Sequence, residues 1–248
     1  AASRPAAGSL MDTPPVGARH TYRGRPTIGL LTHGAGDPNS HTVWAGVASV
    51  AQERDVNLIC FPGKPLRSPL EFEAQSNVLY ELVSAQNIDG LVIWSAGLPL
   101  FVDRSEMNAF CQRFRPLPMV TAGVPIEGIP GVSVDNYRGM RAVVSHLVEV
   151  HGRAHIAFIR GPEYHQEAEE RYRAYLDVLS DYGIPFDPSL VAHGNFKESG
   201  GAAAAEQLLT SRQDGFDALV AASDNMAIGA LRILQAHGVR IPGDVALA

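Results

Sequence analysis

From Arg25 onward, short apolar runs alternate with stretches whose apolar residues recur at helical spacing. Thr27 to Thr32 reads as a strand closed by the turn-rich His33 to Pro38. The helix after it carries Val43, Val47 and Val50 on one face. Val56 to Phe61 is a second strand, and a longer helix then places Phe72, Leu79, Leu82 and Val83 on one side. Ile88 to Trp94 is the third strand, Met107 to Phe114 falls in the next helix, and Leu117 to Thr121 is the fourth strand. After the Pro/Gly connection from Gly128 to Gly131 the rhythm restarts. Val132 to Asp135 leads into a helix carrying Met140, Val143, Val144 and Leu147. His155 to Ile159 is a strand, and Tyr172, Tyr175, Leu179 and Tyr182 mark the helix that follows. Leu190 to Phe196 reads as a strand, Gly201 to Leu209 as a helix, Ala218 to Ala222 as a strand and Met226 to Leu234 as a helix. Asp244 to Ala248 begins a further strand.

Strands alternating with helices of this length imply parallel sheets joined by right-handed crossovers, with helices on both faces. The restart near Asp135 predicts two α/β lobes in series, each a Rossmann-like parallel sheet. They span residues 25–134 and 135–248, behind a leader or linker over 1–24. The chain stops inside an apolar strand, so the second lobe is expected to be incomplete, truncated at its C-terminal side. In parallel sheets, ligands bind in the loops at the C-terminal ends of the strands. Those loops are His33 to Ser40, Trp94 to Leu98, Thr121 to Val124, Gly161 to Arg171, Asn195-Phe196 and Ser223-Asp224.

Composition narrows the partners. Apolar residues at 46% and charged residues at 19% are the balance of a globular protein able to bury a core. A net charge of -6 with scattered Lys and Arg argues against a nucleic-acid surface, which needs clustered cations. No stretch approaches the ~20 apolar residues of a membrane helix, and Ala1 to Gly24 lacks the apolar centre of a signal peptide. No membrane partner is expected. Cys60 and Cys111 lie far apart in apolar surroundings, where two free thiols in a reducing, cytoplasmic setting are favoured over a disulfide.

Each candidate motif has a plainer reading beside it. Gly34-Ala-Gly36 lacks both the Gly-x-Gly-x-x-Gly spacing and the Lys-Ser/Thr pair of phosphate loops. His146, His151 and His155 straddle a helix end, a turn and a strand start, so they are not expected to converge on a metal. No nucleophile elbow is present, and Glu163, Glu167, Glu169 and Glu170 suit a helix N-terminus without acid–base work. Neither a catalytic residue nor a cofactor is expected. Arg171 follows a strand-end loop, and its fork of donors suits sugar hydroxyls or a carboxylate; an ion pair with Glu167 is the alternative. Phe196, at a strand end, stacks on a sugar or plugs the core. Ser223 and Asp224 are both good helix N-caps whatever else they do.

Over nearly its whole length after Arg25 the chain resembles the effector-binding part of LacI/GalR-type transcriptional regulators, which share the periplasmic-binding-protein-like type I fold. The matching runs are Val134-Asp-Asn-Tyr-Arg-Gly139, His146-Leu147 and His155-Ile-Ala-Phe-Ile-Arg-Gly-Pro162. Arg171-Tyr-Arg-Ala-Tyr175, Ala222 to Leu231 and Gly238 to Leu247 follow in order. The resemblance implies a crossover near Val134 to Asn136 and a ligand cleft lined by the loops above. It places Arg171 at the family's ligand-contacting arginine, Phe196 at a pocket aromatic and Ser223-Asp224 at the usual Asn-Asp pair. Asp37-Pro38 stands at the usual Asn-Pro, while Asn39 and Ser40 replace the aromatic residues that often follow. Ala122-Gly123 supplies no polar side chain. With Trp94 and Asp135 from the strand-end and crossover segments, the candidate ligand-binding set is Arg171, Phe196, Ser223, Asp224, Asp37, Asn39, Ser40, Trp94 and Asp135.

The expectation is a non-enzymatic receptor that closes two lobes on a small polar molecule, possibly a sugar, and forms a homodimer through its first lobe. Nothing between Ala1 and Gly24 has the pattern of a helix-turn-helix or hinge helix. The style of the first lobe is similar to sensors fused to a histidine kinase or diguanylate cyclase, so the leading reading is a signalling sensor with such an output domain. The alternatives are a LacI/GalR-type repressor whose DNA-binding head lies outside this chain, and a solute-binding protein of a sugar uptake system.

Overall fold

The computed structural model describes residues 24–34, 38–70, 72–163, 165–211 and 215–248, without the side chains of residues 38, 39 and 211. The leader over 1–23 therefore lies outside the described residues, as does Asp37. Two parallel sheets follow one another along the chain. The first runs β2 (Asn57–Pro62), β1 (Thr27–Thr32), β3 (Gly90–Trp94), β4 (Met119–Ala122), β5 (Gly131–Val132). The second runs β7 (Val191–His193), β6 (Ile156–Arg160), β8 (Ala218–Ala221), β9 (Ala246–Leu247). Every strand pair is parallel. This is the two-lobed α/β architecture that the alternating pattern predicts.

Interior strands covered by helices on both faces must be apolar throughout. Ile156 to Ile159 and Ala218 to Ala221 accordingly have all their side chains buried, between α4 (Asn136–Glu149) and α5 (Gln166–Asp181) and the α6 (Glu198–Ser211) and α7 (Asp224–Ala236) pair. The first lobe packs Leu31, Ile93, Tyr80, Met107 and Phe110 about the same kind of sheet. Helix α3 (Arg104–Gln112) starts on a capping box: Asp103 Oδ1 accepts from the Glu106 N–H at 2.9 Å, and the Glu106 carboxylate accepts from the Asp103 N–H at 3.4 Å.

The second helix of the first lobe departs from expectation. A one-turn α2 (Glu73–Ser76) passes into a 3-10 segment, Asn77–Leu82. Phe72 is 71% exposed and Leu82 is exposed too, so that Val83 reaches the core as expected but in company with Tyr80. The 3-10 rise rotates the side chains away from a 3.6-residue stripe, and Tyr80 is held by hydrogen bonds from its hydroxyl to the Thr32 and Lys64 carbonyls. In α1 (Pro38–Glu53), Val50 is 54% exposed and Ala51 turns inward instead. Several strands are shorter than their apolar runs: Leu190 belongs to a 3-10 turn before β7, and Ser133 to Asp135 lie outside β5, with the Asn136 N–H turning back to the Val134 carbonyl at 2.9 Å.

Helices α6 and α7 touch through glycines. A Cβ on Gly229 would lie 2.0 Å from the Glu198 carbonyl oxygen, and one on Gly201 would lie 2.1 Å from that of Met226. Only hydrogen fits at either position. The contact fixes the N-terminus of α7, which carries Ser223 and Asp224.

Candidate functional site

The C-terminal ends of the two sheets approach one another. His165, from the loop after β6, makes a hydrogen bond to the Ala96 carbonyl, from the loop after β3, at 2.9 Å from Nε2. Where the lobes connect, Gly123 and Pro125 of the first lobe face Asp135 and Asn136 of the connection and Gln166, Glu167, Glu170 and Arg173 of α5. Together they line a polar cavity of about 390 Å³, half open to solvent, whose walls do not include Arg171, Phe196, Ser223, Trp94 or His165. That volume lies within the range of small-molecule sites.

Arg171 projects from the second turn of α5 toward the end of β8. Its Nη1 donates to the Ala222 carbonyl at 2.6 Å, while Nε and Nη2 donate to Asn136 Oδ1 at 3.1 and 2.6 Å. A longer contact of 3.4 Å joins Nη2 to the Glu167 carboxylate. The two readings of Arg171 thus coexist: it is paired with Glu167, and it also stands 22% exposed at the cleft. Asn136, buried, relays the network by donating to Glu170 at 3.3 Å.

Phe196 lies half-buried beside this network, with the Arg171 guanidinium 6.0 Å from its ring centre and the His165 ring meeting it edge-on at 4.9 Å. Its backbone is left-handed, with φ at 62°. A non-glycine residue held there costs roughly 1–3 kcal/mol and signals a position fixed by its surroundings. The room for the ring comes from Gly161, where a Cβ would stand 2.5 Å from Phe196 Cε1.

Ser223 occupies the N-cap position of α7, but its hydroxyl makes no cap hydrogen bond. The expected capping role is therefore corrected. The backbone is extended as in a cap, yet Oγ is buried away from the N–H groups of the first turn. Asp224, exposed in that turn, is left to favour the helix dipole. Asp135 does cap its helix, accepting from the Arg138 N–H at 3.0 Å. On the first-lobe wall, buried Ser40 contacts His33 Nδ1 at 3.2 Å, and the His33 ring lies against Gly97. Trp94 ends β3 just before Ala96. Asn39 falls in α1 without a described side chain.

Five buried side-chain nitrogen or oxygen atoms among the described residues lack a hydrogen-bond partner: Thr32 Oγ1, Trp94 Nε1, Arg153 Nε, His165 Nδ1 and Ser223 Oγ. Buried polar atoms are normally satisfied, so each orphan needs a cause. All but Arg153 sit at or just beyond the C-terminal end of a strand: β1, β3, β6 and β8 in turn. Two come from each lobe. Arg171, Phe196 and Ser223 are thus brought to one place, Trp94 and Ser40 stand on the facing lobe, and Asp224 points to solvent.

His165, Asn136 and Thr32 were not among the sequence candidates. One signal existed for His165: it fills the residue before α5, where Ser, Thr, Asp or Asn is the usual choice, and it makes no cap bond. The thiols of Cys60 and Cys111 are free, and burial pushes that of Cys111 up to about 12. Against expectation, His146 and His151 do converge, their Nε2 atoms 3.2 Å apart, because the helix ends in a turn that folds back. His155 is not with them: its N–H bonds Asp217. No group of three potential metal ligands occurs among the described residues, and no helix among them is long and apolar enough to cross a membrane.

Comparison with known proteins places this geometry in context. Residues 25–248 match the family model described as periplasmic binding proteins and the sugar-binding domain of the LacI family. The HTH-type transcriptional regulator CelR of Thermobifida fusca is 34% identical over 206 residues, covering 82% of this chain and 56% of CelR. The HTH-type transcriptional repressor CytR of Escherichia coli K12 is 30% identical over 173 residues, covering 70% of this chain and 49% of CytR. Among solved structures, the complex of transcriptional regulator CelR with cellobiose superposes with a TM-score of 0.69 at 31% identity, covering 90% of this chain and 67% of that one. The chain spans about half the length of these curated relatives.

Proposed function

We propose that this chain, which belongs to the family of periplasmic binding proteins and LacI-type sugar-binding domains, is the non-enzymatic effector-binding part of a LacI/GalR-type transcriptional regulator. It takes a small polar, sugar-like molecule into the cleft between lobes spanning 25–134 and 135–248. The observation that carries this reading is the set of unpartnered buried polar atoms at the strand ends of both lobes, one of them on His165, whose other ring nitrogen bonds across to Ala96. A polyhydroxylated ligand offers both donors and acceptors, which is what Trp94 Nε1, Ser223 Oγ, Thr32 Oγ1 and His165 Nδ1 require. Phe196 supplies a face for the apolar side of a sugar ring.

In this reading Arg171, Phe196, Ser223, Trp94 and Ser40 contact ligand directly. Asp135 and Asp224 act as helix-end groups. CelR and CytR are HTH-type transcriptional regulators by name, which favours a DNA-binding head over the kinase or cyclase output expected from the first-lobe sequence. The protein works in the cytoplasm as a homodimer, and the ligand acts by binding one lobe arrangement better than the other. Cellobiose, held by CelR in its solved complex, is the first probe. A thermal-shift screen of cellobiose and other neutral mono- and disaccharides is expected to raise the midpoint with at least one of them, confirmed by calorimetry at one site per chain. Stabilisation by none of them, with nucleosides or small acids binding instead, would contradict it.

A further inference from the structure

His165 does two things with one ring. Its side chain is buried, 2% exposed, where the loop after β6 meets the loop after β3. A carbonyl oxygen only accepts, so the 2.9 Å contact with Ala96 requires the proton on Nε2. A neutral imidazole protonated there presents Nδ1 as an acceptor, and that atom is buried without a partner. Among the described residues none supplies the missing donor. From α5 the charged groups that act on the ring are Glu167, Glu170 and Arg171. The carboxylates have no proton to give, and the guanidinium already serves Asn136, Ala222 and Glu167. From the loop after β7 comes the Phe196 ring. The neutral form is the favoured one: burial lowers the imidazole pKa, and the Arg171 charge adds to this, against the Ala96 hydrogen bond and the nearby Glu167 and Glu170 carboxylates.

We propose that His165 is the specificity-determining residue of the cleft: its Nδ1 accepts a hydrogen bond from a ligand hydroxyl while its Nε2–H holds the Ala96 carbonyl of the opposite lobe. One imidazole thereby links recognition of a proton donor to closure of the lobes. Donation to Ala96 fixes the tautomer that can read a hydroxyl, and a hydroxyl on Nδ1 strengthens donation from Nε2 in turn. The class selected is an uncharged polyol that donates at this position. A deoxy or O-methyl analogue blocked at that hydroxyl is rejected, because it leaves Nδ1 buried and unpaired. This rests on the saccharide reading above and refines it to an atom.

Nitrogen-15 NMR of histidine-labelled protein, with the His165 signals assigned by loss in His165→Gln, reads both halves. In the free protein, Nε2 is expected protonated and Nδ1 bare. Saturation with cellobiose, or with the screened saccharide of largest thermal shift, is expected to move Nδ1 toward a hydrogen-bonded acceptor and leave Nε2 in place. His165→Gln, which lacks an acceptor at the Nδ1 position, is expected to weaken that saccharide about tenfold. His165→Asn, with an amide oxygen near Nδ1 but no reach to Ala96, is expected to retain discrimination against the blocked analogue at lower overall affinity. An Nδ1–H tautomer in the free protein overturns the assignment without reference to any ligand. Tight saccharide binding with an unmoved Nδ1 overturns it while leaving the saccharide reading intact. Binding by no saccharide removes that reading, and the hydroxyl half of the assignment with it.

Discussion

Arg171 shows how much a single side chain holds in this cleft. Its guanidinium ties α5 to the connecting segment through Asn136 and to the end of β8 through Ala222. Arg171→Ala is therefore expected to cost about 1.5–3 kcal/mol of stability, the range for hydrogen bonds involving a charged group, by leaving buried acceptors unpaired. Denaturant titration measures this, and a change within 0.5 kcal/mol, roughly what a free surface substitution produces, contradicts it. Saccharide affinity is expected to fall with the same substitution by about 2–3 kcal/mol, since the cleft wall loses both a donor and its alignment. In the sequence Arg171 stood out by its place after a strand-end loop and by the family resemblance, with the Glu167 ion pair as the alternative, and the structure shows that pair beside the ties to Asn136 and Ala222. Asn136 and His165 did not stand out, because nothing in their spacing reveals that a buried amide will brace Arg171 or that an imidazole will bridge to a carbonyl 69 positions away.

At the scale of elements, the hydrophobic pattern located the strands well because interior parallel strands must be apolar at every position. Ile156 to Ile159 and Ala218 to Ala221 left no other assignment. It failed between Glu73 and Leu82, where burial of one tyrosine, bonded to two carbonyls, decides a 3-10 path that a 3.6-residue template does not represent. It also failed to foresee how α6 meets α7, since glycine reads as a breaker in a sequence and as a contact surface in the fold. Gly229→Ala pushes a methyl group into the Glu198 carbonyl, which stands 2.0 Å from the new Cβ. The helices must separate, so a loss of about 1–3 kcal/mol is expected, typical of overpacking, despite the better helix propensity of alanine. Thermal unfolding checks this, and a raised midpoint would mean that the two helices do not pack so closely.

For the molecule as a whole, two successive parallel sheets are joined at Ser133 to Asp135, and the loop after β6 meets the loop after β3 through His165 and Ala96. The two-lobed fold could be argued from the rhythm of the chain alone, and the family match over residues 25–248 agrees with it. The positions of the orphaned polar atoms could not, since they depend on which side chains tertiary packing leaves without partners. The proposed function rests on those atoms belonging to both lobes: a molecule that satisfied all of them would touch both sides and so favour the closed arrangement. Hydrogen–deuterium exchange with and without the saccharide chosen by the thermal screen tests this most directly. Protection is expected in both lobes together, at Trp94 to Leu98 in the first and at His165 to Arg171, Asn195-Phe196 and Ala222 to Asp224 in the second. Protection confined to one lobe, or lying on the outer faces of α4 and α5, would contradict a ligand held between them.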